Sequence, residues 1–495
     1  MGVAARVVLQ VVAQIALARL LGPEAFGVVT AAVLIILIAG IVAELGMGVA
    51  LIQVEKIEAL DVRYAFTRVL GATIIVAALI LASADLVATL FENPRIAPVL
   101  RWMTLALVFQ SLGAVSLGLL KRALDFKRIQ VAQLLSYLVG YLLVGVGCAW
   151  LGAGEWSLVA AWVVQTFMAS AIQYAKVPHS LVPTLRPTKA PLIGFGVRTV
   201  FASLANWSIE NVDNVMVGRA FGTTTLGAYA IAYNLVRTPV NHIVFSLQQV
   251  LQPFIARTQN DPATMRKAYL ASVWMVALVT MPAFFGLGVL APTVVDALYG
   301  SAWVAAGPIL LPLALAMPLQ ALQAVGGPVL WGSGQVSREI RISLWMVALL
   351  IALLGVAATI SPVAMAWGVL VAYFTRALWV TGSVSQIIGA SLRQSLSMLR
   401  GGFIVGSLTA AVLYLIDTML IGTGLGPIPR LVAALLLGAL LAPTLIVLLV
   451  RVVVPVDLYD ILPYLIKRLP AAAQSWLVAR TTGNAQAPGP VRKHP

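Results

Sequence analysis

Two stretches of otherwise apolar sequence carry side chains able to hold a charged or hydroxyl-rich molecule. The first, within 193–217, has Ser203, Asn206, Glu210, Asp213 and Asn214. At about 100° per residue, these fall within one helical arc of roughly 100°. The second, within 226–251, has Asn234, Arg237, Asn241 and Gln248 on a narrower arc. An unpaired ionisable group inside a membrane helix costs about 3 kcal/mol or more, so such groups are rarely left facing lipid. Two polar stripes in succession therefore predict two helices that face a common wet interior.

The elements that must position these stripes are membrane helices. The chain has 495 residues, of which 61% are hydrophobic and only 10% charged. Runs of about 20 apolar residues recur from end to end, each enough to cross a hydrocarbon core. The reading is an all-α polytopic membrane protein with about 14 spans, among them 28–52, 269–298 and 303–331. The longest polar connection is about 15 residues, which leaves no room for a sizeable soluble domain. No cleavable signal peptide is expected at the N-terminus. The single cysteine, Cys148, excludes an internal disulfide.

The net charge of +15 does not point to nucleic acid, because the basic residues are spread over short loops. Counted over alternate loops, Lys and Arg number about 17 on one side and about 5 on the other. The rich side includes Lys121, Arg122, Arg257, Arg266, Arg338 and Arg341, and the poor side includes Arg19, Arg95, Arg101, Arg219 and Arg430. The positive-inside rule makes the rich side cytoplasmic and places both termini there.

The sequence also repeats itself. Arg19-Leu-Leu-Gly-Pro-Glu-Ala-Phe-Gly27 and Arg219-Ala-Phe-Gly-Thr-Thr-Thr-Leu-Gly227 share Arg-x-x-Gly-x-x-x-[Phe/Leu]-Gly. Moving back along each helix, Arg6, Gln10 and Gln14 fall opposite Asn206, Glu210 and Asn214, so the polar face repeats as well. Further on, 86–102 resembles 294–310, with Leu90-Phe91 over Leu298-Tyr299. An even number of helices between copies preserves orientation. This predicts two lobes of about six helices, related by a pseudo-twofold axis along the membrane normal, plus two extra C-terminal helices. The lobes are assigned to 1–178 and 193–390, joined by a proline-bearing cytoplasmic linker over 179–192. The two extra helices occupy 391–455, and a partly disordered cytoplasmic tail occupies 456–495.

Several short segments match a known family. Ala18-Arg-Leu-Leu-Gly-Pro-Glu-Ala-Phe-Gly27 and Gly46-Met-Gly-Val-Ala-Leu-Ile-Gln53 resemble signatures of the bacterial polysaccharide transporter family, the Wzx-type oligosaccharide flippases. So do Phe91-Glu-Asn-Pro94, Leu124-Asp-Phe-Lys127, Asp213-Asn-Val-Met-Val-Gly-Arg219, Leu226-Gly-Ala-Tyr229 and Leu251-Gln-Pro253. The likeness runs from about residue 5 to at least 390 and is specific as a set. The family belongs to a superfamily that also holds multidrug extruders and the lipid II flippase. The resemblance implies a transporter of the bacterial inner membrane. Its substrate would be an undecaprenyl-diphosphate-linked oligosaccharide, moved from the cytoplasmic to the periplasmic leaflet for exopolysaccharide, capsule or O-antigen synthesis. Membrane lipids are implied partners, with a polysaccharide polymerase and a chain-length regulator beside them; nucleic acid is not.

Such a substrate needs a hydrated route for its headgroup. Carboxylates, amides and aromatic rings suit sugars, and an arginine fork suits the diphosphate. Arg237, with Arg198 or Arg6, is the expected diphosphate contact; alternatively, Arg237 is neutralised by Asp213 or Glu210 in a structural pair. Glu210 and Asp213 can carry a coupling proton or sodium ion if their burial changes between states. They can equally hold helices together by hydrogen bonds. Glu44, Asp85, Asp296 and Asp417 lie nearer helix ends, where a side chain snorkels and serves structure. Pro239, Pro282, Pro312 and Pro318 lie within spans and can kink them. Trp102, Trp156 and Tyr299 read as interfacial anchors. No metal cluster, cofactor motif or nucleotide-phosphate loop is present. An ion-coupled drug or small-metabolite antiporter of the same superfamily is the main alternative, and a membrane polysaccharide polymerase is a weaker one. The latter enzyme would require a larger loop than any here.

Overall fold

Glycine decides where the two longest helices break. In the computed structural model, which describes residues 2–184, 186, 192–258, 261–449, 453–455 and 458, α1 runs Gly2–Glu44 and α8 runs Leu192–Arg257. Each leaves helical geometry at one residue: Gly22 at φ 74°, ψ 173°, and Gly222 at φ 80°, ψ 174°. That conformation is open to glycine almost alone. Where the sequence predicts a loop over 218–227, the chain breaks on one residue and resumes helix at once. Pro23 follows the first break, in the helix turn that least needs its missing N–H.

Between the long helices lie α2 (Met47–Gln53), α3 (Ala59–Leu90), α4 (Ile96–Arg122), α5 (Phe126–Tyr137), α6 (Val146–Trp150) and α7 (Trp156–Lys176). The predicted span 28–52 stops short, because Leu45 and Gly46 take positive φ and separate α2 from α1. A π-helical segment, Leu138–Gly145, links α5 to α6. It lets Gly140 press on α7, where an added Cβ would stand 2.7 Å from the Ala161 carbonyl oxygen.

After α8 come α9 (Pro262–Val289), α10 (Ala291–Tyr299), α11 (Ala306–Gly332), α12 (Val336–Ala357) and α13 (Pro362–Ile387). Then follow α14 (Leu392–Ser397), α15 (Leu399–Gly422) and α16 (Pro427–Leu448). The predicted span 269–298 is thus two helices, α9 and α10. Among the described residues, 11 helices are long and apolar enough to cross a membrane. α1 is one of them and α8 is not among them. The protein is a polytopic helical membrane protein.

The chain forms two compact units. The first comprises Met1–Ala232, Leu298–Ile309 and Ser343–Val369. Leu17, Val28, Ile36, Phe91, Leu100 and Met103 form the centre of its main core. A smaller cluster gathers Met47, Leu51, Tyr64, Phe66 and Val115. Beside it, Arg122 closes the end of α2: its guanidinium donates to the carbonyls of Leu51 at 2.7 Å and Glu55 at 2.7 Å, and also to that of Val54. Terminal helix carbonyls have no intrahelical partner, so a fork of N–H donors suits them.

The second unit comprises Tyr233–Ala297, Leu310–Ile342 and Leu370–Pro495. Here α15 lies on α9 through a small-residue face. A Cβ on Gly402 would stand 2.4 Å from the Ala277 carbonyl oxygen, and one on Gly406 would meet Met281 at 3.0 Å.

Candidate functional site

The repeated segment packs against its own copy inside the first unit. An added Cβ on Gly27 would stand 1.7 Å from the Thr223 carbonyl oxygen, and one on Gly227 would stand 2.0 Å from that of Pro23. Pro23 and Thr223 are equivalent positions of the repeat, as are Gly27 and Gly227. The contact is therefore reciprocal, as across a twofold axis.

The same exchange recurs with the later matching pair. Arg19 Nε donates to the Leu298 carbonyl at 2.8 Å, and Arg219 pairs with Glu92, two residues after the equivalent Leu90. The Phe91 ring presses on Gly218, 2.7 Å from where a Cβ would stand. Across the repeat, the wholly buried Trp303 donates from Nε1 to the Ala18 carbonyl at 3.0 Å. Phe26 meets Trp303 edge-on, with ring centroids 5.4 Å apart. Asn93 Nδ2 completes the belt by donating to Thr223 Oγ1 at 2.9 Å. Tyr299, expected as an interfacial anchor, is 3% exposed; it is drawn into this belt beside Trp303.

The two polar stripes lie in different units. In the first, Asn206 is exposed, Glu210 half-buried, and Asp213 and Asn214 buried. Exposure thus falls along the stripe from Asn206 to Asn214. Asp213 Oδ2 accepts from the Tyr229 hydroxyl at 2.9 Å, and Oδ1 accepts from the Asn214 amide at 2.8 Å. On α1, Gln10 and Gln14 are half-buried. In the second unit, Asn234 and Asn241 are exposed, and Arg237 and Gln248 half-buried. The Arg237 guanidinium lies 5.4 Å over the Tyr233 ring. The expectations for Arg6 and Arg198 concern side chains outside those described.

Two acids expected near helix ends differ. Asp85 is exposed and meets Arg101 at 2.6 Å. Asp417 does not snorkel: it is 8% exposed and accepts from the Thr293 hydroxyl at 2.7 Å. Arg430 lies 4.0 Å away, so packing of α15 and α16 supplies a counter-charge in place of water.

Gln248 opens onto a cavity in the second unit, together with Gln252, Gln320, Gln323, Glu339 and Arg376. Glu339 escapes a reading from sequence because it sits among loop-proximal charges. Arg376, within α13, carries a charge that calls for an acidic partner.

A family model described as a polysaccharide biosynthesis protein matches residues 16–308. The chain belongs to that family. The matched stretch holds the whole reciprocal belt, from Ala18 to Trp303. Among curated relatives of this polysaccharide biosynthesis protein family, the chain is 25% identical to the lipopolysaccharide biosynthesis protein WzxC of Escherichia coli, over 63% of either chain. It is 28% identical to the succinoglycan biosynthesis transport protein ExoT of Rhizobium meliloti, over 64% of this chain and 65% of that one. The teichuronic acid biosynthesis protein TuaB of Bacillus subtilis is 25% identical over 60% of this chain and 62% of its own. The chain thus spans just under two thirds of the length of these relatives. In fold it is similar to the lipid II flippase MurJ in an inward closed conformation, with a TM-score of 0.70, 13% identity and coverage of 89% of this chain and 96% of that one. A multidrug transporter of the MATE family aligns with a TM-score of 0.60 and 15% identity, over 78% of this chain and 96% of its own.

Proposed function

We propose that the chain is a flippase, not an enzyme. It moves an undecaprenyl-diphosphate-linked oligosaccharide from the cytoplasmic to the periplasmic leaflet of the bacterial inner membrane. The observation that carries this reading is the exposure of Asn206, Asn234 and Asn241 along α8. An amide left in hydrocarbon without a partner loses several kcal/mol, about 4–8 on the harshest scale. A wet passage for a sugar headgroup removes that cost. The names of WzxC, ExoT and TuaB support the class of cargo.

In this reading, about 14 helices form two lobes, 1–178 and 193–390, which rock about the reciprocal belt. Both termini face the cytoplasm, and the belt faces the periplasm. Arg237 receives the diphosphate, with Arg198 or Arg6 as its second contact. Glu210 is the first candidate for a coupling proton or sodium ion, since it is half-buried. Asp213 is the second, its charge steadied by Tyr229. A polymerase and a chain-length regulator act on the exported unit. The test is Arg237→Ala: normal amounts in the membrane, with lipid-linked units accumulating on the cytoplasmic face. Wild-type export by that variant removes Arg237 from the path.

A further inference from the structure

In the first unit, α5 and the π-helical segment after it divide their surface into three arcs. Val131, Leu135 and Leu138 form the first and are exposed, as a lipid-facing stripe is. Ile129, Ala132 and Ser136 form the second and are buried where α5 packs on α1, α4 and α7. Gln130, Gln133, Tyr137 and Tyr141 form the third. The two glutamines and Tyr141 are half-buried, so each keeps accessible surface. At 1.5 Å per residue, Gln133 lies about 10 Å and Tyr141 about 20 Å into the helix, which is long and apolar enough to cross the membrane over Phe126–Trp150.

Amides with accessible surface at that depth are costly against acyl chains and suit a water-filled route. The third arc is therefore a wet one. It continues onto α1, where Leu17 meets the end of the π-helical segment: a Cβ on Gly145 would stand 3.7 Å from Leu17 Cδ1. One turn earlier on the two helices stand Gln14 and Tyr141, and one turn before those stand Gln10 and Tyr137. The π-helical turns, Leu138–Gly145, lie within this face, and such turns interrupt helices mostly at functional sites. The Tyr137 and Tyr141 rings stack, with centroids 4.7 Å apart and planes 9° apart, so Tyr137 backs Tyr141.

This face carries no charge. From Ile129 to Trp150, and on α1 from Val7 to Ala18, there is no Asp, Glu, Lys, Arg or His. Each glutamine amide offers donors and an acceptor together, and so does the phenol hydroxyl of Tyr141. An inorganic ion or a diphosphate wants a counter-charge, which this face lacks. An isoprenoid tail gains nothing from amides. Sugar hydroxyls, each donor and acceptor at once, match it. We propose that this face of the first unit is the wall along which the sugar residues of the headgroup pass, with Gln130, Gln133 and Tyr141 as contacts. The charged diphosphate is left to the charged stripes of α8. The proposal rests on the flippase reading and specifies which part of the cargo the first unit handles.

The test is thiol labelling of the purified full chain in lipid nanodiscs, on a Cys148→Ala background, with a charged, water-soluble maleimide. Gln133→Cys should react at least about tenfold faster than Leu135→Cys, because a thiol in hydrocarbon keeps its proton and the thiolate is what reacts. Gln130→Cys, on the same arc, takes its place if the first variant does not fold. Two additions are then compared: lipid-linked oligosaccharide extracted from the source bacterium, and undecaprenyl diphosphate without sugar. The first should slow labelling of the glutamine-position cysteine by at least about threefold once most sites are filled, and the second should leave it unchanged. Labelling no faster than at 135, equal slowing by the sugar-free lipid, or no slowing by either overturns the proposal. If labelling and protection are as expected but a strain lacking the chain accumulates no lipid-linked units, the wall stands and the flippase reading falls.

Discussion

Gly27 and Gly227 hold equivalent places on the two copies of the repeat, and each leaves room for the backbone of the other copy. The Thr223 carbonyl oxygen stands 1.7 Å from the site of a Cβ on Gly27, and the Pro23 oxygen stands 2.0 Å from one on Gly227. The obstacles are main-chain atoms, which cannot turn aside as a side chain would. Gly27→Ala and Gly227→Ala should therefore each destabilise the protein by at least about 3 kcal/mol, at the upper end of overpacking effects. The check is thermal unfolding in detergent, where a transition at the wild-type temperature would remove the belt from the account.

The breaks at Gly22 and Gly222 make a separate demand. Nothing lies within 4 Å of a Cβ at either site, yet both residues have φ near +80°. The cost of substitution is thus backbone strain alone, about 1–3 kcal/mol for Gly222→Ala. Gly71 also has nothing within 4 Å but carries no positive φ, within α3. Gly71→Ala should raise stability by about 0.5–1 kcal/mol. Paired unfolding curves with the opposite order would contradict the assigned geometry.

Arg122 binds α4 to the end of α2 through a fork of donors. Arg122→Lys keeps the charge and loses the fork. The expected loss is about 1.5–3 kcal/mol, the worth of a hydrogen bond from a charged group. A scan of the variant against wild type, with membrane insertion measured in parallel, checks it.

His179 gives the segment just after α7 a pH dependence. Its ring lies 5.2 Å from that of Phe66 and 5.4 Å from that of Tyr174, measured between centroids. Burial holds its pKa below the ordinary histidine value, against the opposing pull of the Ser180 carbonyl. With this segment undocked, His179 therefore binds the proton more readily. Docking keeps its full strength above the ordinary value, about 6.5, and weakens as pH falls through it. Hydrogen exchange over 177–184 should quicken between about pH 7.5 and pH 5.5, and His179→Gln should flatten that change.

The reading from sequence reached the membrane class and the repeat. Apolar length and a returning pattern are properties of the chain itself. What it missed depends on tertiary contact. Tyr229 lies off the polar arc, and nothing local marks its hydroxyl as the partner of Asp213. Glu339 follows Arg338 in the first turn of α12 and looks like one more loop charge. Only the fold sets it 3.2 Å from Arg376. Tyr299 has the composition and place of an interfacial ring, and the reciprocal packing of the repeat claims it for the interior.

The central claim is that this chain alone carries a charged, sugar-bearing headgroup through a bilayer. Its most direct test is reconstitution in vesicles loaded on one leaflet with an undecaprenyl-diphosphate-linked oligosaccharide, followed by capture of the sugar with a lectin at the other face. Transfer well above protein-free vesicles, reduced by Arg237→Ala, is the predicted result. Transfer no faster than in protein-free vesicles, from chain shown to be folded by its unfolding transition, would contradict the account.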